Sequence, residues 1–157
     1  MIRSLAMKPY LHSNGSFSHF QWNLDCSVGK AAQNNIAADV SFLQWYYTLA
    51  VTFAETPPDR AAIYKTVGIT GICTGKDDDP LVKSIFAQQR GLNHPVIDGK
   101  ASVAPAGGRI GETAYFILRV NARFATQFPK QWPRLDLIRN CPPAVAQAVL
   151  QSIPKVS

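Results

Sequence analysis

Charge is scarce in this sequence. Only 17% of its residues are Asp, Glu, Lys or Arg, against about 25% in ordinary soluble domains. Acids are fewest: Glu55 and Glu112 are the only glutamates, beside eight aspartates. A glycosidase needs two carboxylates flanking the scissile bond, and there are few to choose from. Glu112 opens a helical pattern, where the dipole lowers its pKa, the wrong direction for a general acid. H-E-x-x-H and G-x-S-x-G are both absent, which removes the commonest metalloprotease and serine-hydrolase signatures. Cysteines are three, Cys26, Cys73 and Cys141, with no CxxC; zinc ribbons and thioredoxin-type sites are excluded. The odd count leaves at least one free thiol, with a Cys26–Cys141 or Cys73–Cys141 pair open in an oxidising compartment. Cys141, just before Pro142-Pro143 and a helical pattern, is the thiol best placed for nucleophilic chemistry. A histidine partner would have to be His12, His19 or His94, and nothing selects one.

Clustered cations are lacking too. The net charge is +6 and the pI about 9.4, which favours anionic partners. The Lys and Arg residues are scattered and no aromatic–basic recognition motif occurs, so no nucleic-acid partner is expected. The N-terminus has no continuous apolar run and no well-spaced small-residue cleavage site. The expectation is a soluble protein made in the cytoplasm without a recognisable signal peptide, with action in the periplasm left open. No glycine-rich phosphate loop is present, since no GKS or GKT follows Gly75. The run Asp77-Asp78-Asp79 lacks the spacing and terminal Glu of a calcium loop. No metal and no cofactor are expected.

What is present is apolar and helical. At 157 residues and 46% hydrophobic, the chain is read as one globular domain, 1–157, with 1–16 an irregular N-terminal arm. The stretch Ile36–Ala54 carries two apolar stripes: Ile36, Val40, Leu43, Tyr47, Ala50 and Ala54, and Phe42, Tyr46, Leu49 and Phe53. A helix apolar on most sides is a buried one. Asp39 and Gln44, with Tyr and Trp in its middle instead of at its ends, argue against a membrane span. Asn34 or Asn35 is positioned to cap it. Further helices are expected after Asp59, from Asp79-Pro80 to a Gly91 C-cap, from Gly111 to Phe124, and after Pro142-Pro143. In the third, Ile117, Val120 and Phe124 form the apolar stripe, while Glu112, Arg119 and Arg123 lie opposite. Short extended segments are expected near 18–26, where Phe20, Trp22, Leu24 and Cys26 alternate with polar residues, and near 66–73. The fold class is mainly α, a compact helical bundle around the 36–54 helix.

Two segments together resemble a known pattern. Val28, Gly29, Asn34, Asp39, Val40, Leu43 and Gln44 match a V-G-x-x-x-x-N loop followed by D-V-x-x-L-Q on a helix. Asp98-Gly99, then Gly111, Thr113 and Phe124, supply a second half with altered spacing. This is similar to peptidoglycan-binding-like domains of bacterial cell-wall-targeting and type VI secretion-associated proteins. It covers about half the chain, and the segment between its halves is longer here, with an additional helix at 79–90. The resemblance implies a non-catalytic cell-wall-binding module of the bacterial envelope. Its partners would be peptidoglycan or its fragments, and a secretion-system protein. The motif residues themselves read as scaffold: Asp39 fixing the turn into the helix, Gln44 bonding a neighbouring backbone group, Asp98-Gly99 placing a loop against the central helix. Binding falls to a groove where aromatic rings face sugars and Arg or Asn side chains meet peptide carboxylates. Arg109, Tyr115, Asn121 and Trp132 are the candidates on that logic. A cell-wall amidase or muramidase, and an adaptor or immunity-type protein with only protein partners, are the alternatives.

Overall fold

The computed structural model describes residues 6–14, 17–105, 109–110 and 113–152, with backbone alone at 9–14, 17–19, 109–110 and 113. The elements run β1 (Lys8–Asn14), β2 (Phe17–Asn23), β3 (Val28–Gly29), α1 (Ala37–Ala50), α2 (Pro58–Tyr64), α3 (Pro80–Gly91), β4 (Lys100–Ala101), β5 (Arg109–Ile110), β6 (Thr113–Ala114), α4 (Phe116–Gln127), a 3-10 turn (Leu135–Leu137) and α5 (Pro143–Ser152). The chain is mainly helical. Each strand pair is an antiparallel two-stranded ladder: β1 with β2, β3 with β4, β5 with β6.

Helix α1 is sheathed on nearly every side. Twelve of its fourteen residues are buried, and it packs against α2, α3 and α5. Phe42, Leu43, Trp45 and Tyr47 are fully buried, so Trp45 belongs to the core although it lies on neither expected stripe. The rings of Phe42, Trp45 and Tyr46 converge on Phe124 of α4 at centroid distances of 5.0–5.6 Å. The helix is shorter than 36–54. It stops at Ala50, and Thr52 turns its hydroxyl back onto the Leu49 carbonyl at 2.7 Å. Its N-cap is Ile36 with no capping side chain, since Asn34 is used elsewhere.

Side-chain amides, half-buried at Asn34 and buried at Asn23, Gln44 and Gln89, do much of the joining. Asn34 Oδ1 accepts from Gly29 N at 2.8 Å while its Nδ2 donates to Gly29 O at 2.9 Å. Asn23 pairs likewise with Ala104, accepting from N at 3.0 Å and donating to O at 2.9 Å. Gln44 Oε1 accepts from Thr70 N and Gly71 N, and its Nε2 donates to Ile72 O. Gln89 Oε1 accepts from Asp98 N and Gly99 N, and its Nε2 donates to Lys100 O. An amide offers the same donor and acceptor as a peptide group. Each of these side chains therefore substitutes for the missing strand neighbour of an irregular segment, which satisfies buried backbone groups that would be costly unpaired.

Several boundaries differ from the sequence reading. The irregular arm contains β1, which pairs residue for residue with β2 from Lys8–Asn23 to Asn14–Phe17; residues 15–16 lie outside the described set. The 18–26 extension is β2, ending at Asn23. Residues 66–73 form no strand; Gln44 holds them as a loop. Helix α2 is capped by Pro57 without a side-chain bond from Asp59. Asp79 does cap α3, its Oδ1 accepting from Leu81 N at 2.8 Å, but Gly91 is the last helical residue and Asn93 takes the left-handed conformation, φ +50°. The third expected helix starts at Phe116, five residues after Gly111, because Thr113–Ala114 pairs with Arg109–Ile110. Gly111 and Glu112 lie outside the described residues, as does Ile153 of the last helix. Asp98-Gly99 faces α3, not α1, through Gln89 and the Phe86 ring. Gly29 is required at β3: its φ is +122°, and a Cβ there would overlap the Gly99 carbonyl.

A candidate anion-binding cleft

A hollow of about 400 Å³ opens between α2, α3 and α4, with α1 beneath it. Arg60 and Tyr64 come from α2, Gln88 and Gly91 from α3, Arg119 and Arg123 from α4, Tyr46 from α1 and Glu55 from the α1–α2 connection. The spacing of Arg119 and Arg123 places both on one face of α4, opposite its buried Ile117, Val120 and Phe124.

The floor is a chain of buried hydrogen bonds. The Tyr47 hydroxyl donates to Gln88 Oε1 at 2.8 Å, and Gln88 Nε2 donates to the Tyr46 hydroxyl at 3.0 Å. Gln88 thus uses the Tyr46 hydroxyl as an acceptor. Burial pushes the Tyr46 and Tyr64 hydroxyls above their ordinary range, and the nearby charges of Arg123 and Arg60 offset this in part. Both phenols are therefore neutral donors near neutral pH.

The rim is cationic. Glu55 Oε1 accepts from Arg123 at 2.5 Å and from Gln127 as well. Among the described residues neither Arg60 nor Arg119 has an ion-pair partner. Three guanidiniums face one carboxylate. Arg60 lies across Gly91, where an added Cβ would sit 2.8 Å from its Cζ and still closer to Nη1. The absent side chain at Gly91 is what lets this guanidinium lie flat against α3. Guanidinium pairs beside neutral phenol donors suit a carboxylate or phosphate. Among the described residues the cleft is lined by one carboxylate, Glu55, and by the hydroxyls of Thr56, Thr126, Tyr46 and Tyr64.

The expected binding residues are distributed differently. Asn121 is fully buried; its Oδ1 accepts from Trp22 N at 2.7 Å and its Nδ2 donates to Trp22 O and Ile117 O at 2.9 Å. Its polar atoms are thus committed to backbone. Trp132 is half-buried and stacks on Phe124 with the planes 17° apart. Asn121 and Trp132 border one hollow, beside Phe20 and Gln21. Tyr115 borders a different, smaller one with His94 and Phe116. Arg109 lies on β5, with its side chain outside the described residues. No single hollow gathers all four.

Burial raises the pKa of all three thiols, away from the thiolate form. All three cysteines are free, so neither anticipated pair is formed. Burial, followed by the Asp136 charge, pushes the Cys141 thiol up to about 12; the α5 backbone near Ala146 offsets this only partly. The thiolate stabilisation expected at that helix start is overridden. His94 is buried, its Nδ1 within 3.0 Å of Val96 O and 3.2 Å of Val96 N and its Nε2 within 3.2 Å of Ala114 O, so both ring nitrogens have backbone partners. The side chains of His12 and His19 lie outside the described residues. Among the described residues no group of three His, Cys, Asp or Glu is placed to hold a metal ion, and no helix is long and apolar enough to cross a membrane. Compared with known proteins, the chain matches no family model, no curated protein and no solved structure at a significant level.

Proposed function

We propose that this protein is a non-catalytic binding module for peptidoglycan in the bacterial envelope, associated with type VI secretion and organised as a helical bundle around α1. The arginine cleft takes the acidic stem peptide. The observation that carries the reading is the cleft itself: Arg60 and Arg119 without an ion-pair partner among the described residues, beside neutral Tyr46 and Tyr64 hydroxyls. Its volume of about 400 Å³ suits a few peptide residues. The D-V-x-x-L-Q resemblance directs the choice among anions, and the net charge of +6 favours an acidic polymer.

Co-sedimentation with purified peptidoglycan sacculi tests the reading. The wild-type protein is expected in the pellet at low salt, with retention falling as salt screens the contacts. Arg60→Glu combined with Arg119→Glu is expected to cut retention by roughly ten-fold or more, since charge-assisted bonds are each worth about 1.5–3 kcal/mol. Both arginines are at the rim, so the variant's circular dichroism is expected to match the wild type. Wild-type retention no greater than that of a control protein of equal charge would overturn the proposal and favour a protein-only partner.

A further inference from the structure

The arginine cleft does not end at α4. A second hollow, about 380 Å³, lies on the other side and shares Ala122 and Thr126 with the first as lining. Ala122 and Ala125 keep that crossing low, because neither side chain projects beyond a methyl group. The second hollow differs in chemistry. Among the described residues none that lines it is charged; Phe20, Gln21, Asn121, Ala125 and Trp132 line it.

Two of its features are those of a site for a polar ring. The Trp132 indole is held by its stacking on Phe124 and remains partly open; a fixed aromatic face suits the apolar face of a saccharide. Beside it, Gln21 Oε1 is buried and has no hydrogen-bond partner among the described residues. A buried amide oxygen without a donor is costly, and a sugar hydroxyl or an N-acetyl N–H would supply one. Phe20, edge-on to Trp22 at 5.3 Å, closes the side nearest β2.

We infer that the hollow formed by Phe20, Gln21 and Trp132 is a saccharide subsite, continuous across Ala122 and Thr126 with the arginine cleft. The ligand is then an N-acetylated amino sugar carrying an acidic peptide, bound as one unit: sugar ring on Trp132, amide or hydroxyl on Gln21, peptide carboxylates on Arg119 and Arg60. This rests on the reading of the cleft as a stem-peptide site and adds the glycan half of the ligand.

Calorimetric titration of the full chain with two probes separates the claims. One is a muramyl tripeptide; the other is the same tripeptide without the sugar. The muramyl form is expected to bind about ten-fold more tightly, the gain of one well-packed aromatic contact and one satisfied buried acceptor. Gln21→Leu is expected to erase that ratio, and so is Trp132→Leu. Trp132→Phe, which keeps an aromatic face over Phe124, is expected to retain part of it and guards against loss of folding. Equal affinities for the two probes, with the ratio unmoved in all three variants, would overturn the subsite while leaving the peptide reading standing. Binding of neither probe would overturn both.

Discussion

Replacing Asn121 by Leu is expected to destabilise the protein by about 3–5 kcal/mol, a large share of a typical domain's stability. Trp22 sits opposite Pro9 in the β1–β2 ladder, and proline has no N–H to give. On its other side no strand follows among the described residues. The Asn121 amide takes that place, closing on both Trp22 N and Trp22 O from α4 while also donating to Ile117 O. Leucine fills similar volume but leaves Trp22 N and O stranded in a region where Trp22 is 3% and Asn121 0% exposed. Each buried unsatisfied group costs about 1–3 kcal/mol. The hairpin would lose a principal tie to α4, although Trp22 Nε1 still reaches Pro133 O at 2.8 Å. Urea unfolding measures the loss as a lower midpoint with unchanged slope. A change below about 1 kcal/mol would show that the amide is not a structural tie.

The second large effect is a pH dependence of stability at Asp39. This carboxyl is fully buried in the first turn of α1. Its Oδ2 accepts from Asp25 N at 2.7 Å and Cys26 N at 2.8 Å, while its Oδ1 is buried without a hydrogen-bond partner among the described residues. Burial raises its pKa from 3.8 to about 6; the Cys26 and Asp25 backbone N–H groups and the Cys26 thiol hold it down, and the neighbouring Asp25 charge raises it further. A folded-state pKa above the unfolded one means that the folded state binds more protons between the two values. The associated stability is fully present below about pH 4 and is lost as pH rises through about 6. The difference corresponds to roughly 3 kcal/mol. Asn at this position is neutral at every pH, and its oxygen can still accept from both backbone N–H groups. Asp39→Asn is therefore expected to be at least as stable as wild type at pH 7.5. The stability gap between the two should shrink steadily towards pH 4. Thermal melts at half-unit intervals measure it, and about 3 kcal/mol corresponds to roughly 6–12 °C in a chain of this size. A gap that is constant from pH 4 to 7.5 would show that Asp39 is ionised throughout.

What could be read in advance was whatever has a local cause. Asp79-Pro80 announced α3 because an N-cap and a first-turn proline act within four residues of chain. The apolar crowding of residues 36–54 announced a buried helix for the same reason, though the helix itself ends at Ala50. The D-V-x-x-L-Q positions have the scaffold roles their chemistry suggested: Asp39 grips the turn at Asp25-Cys26, and Gln44 bonds the backbone of 70–72. Strand β1 was opaque because Lys8–Asn14 has no apolar alternation; Gly15-Ser16, a dipeptide that often closes two-residue hairpins, was the available signal. The start of α4 was misplaced because Ile117, Val120 and Phe124 define a face and not a boundary. The cleft was mostly invisible. Arg119 and Arg123, one turn apart on a polar face, were its only local trace. Arg60, Tyr64 and Gly91 join them through the packing of α2 on α3, which no spacing along the chain encodes.

The most direct measurement of the central claim compares a stem tripeptide having free carboxylates with the same peptide amidated at those groups. Heteronuclear NMR titration of the full chain reads both affinity and location. If the arginine cleft recognises carboxylates, the free peptide binds at least ten-fold more tightly. Its shifts then centre on Arg60, Arg119, Arg123 and the Tyr46 and Tyr64 rings. Equal affinity for the two peptides, or shifts confined to residues outside α2, α3 and α4, would contradict the account.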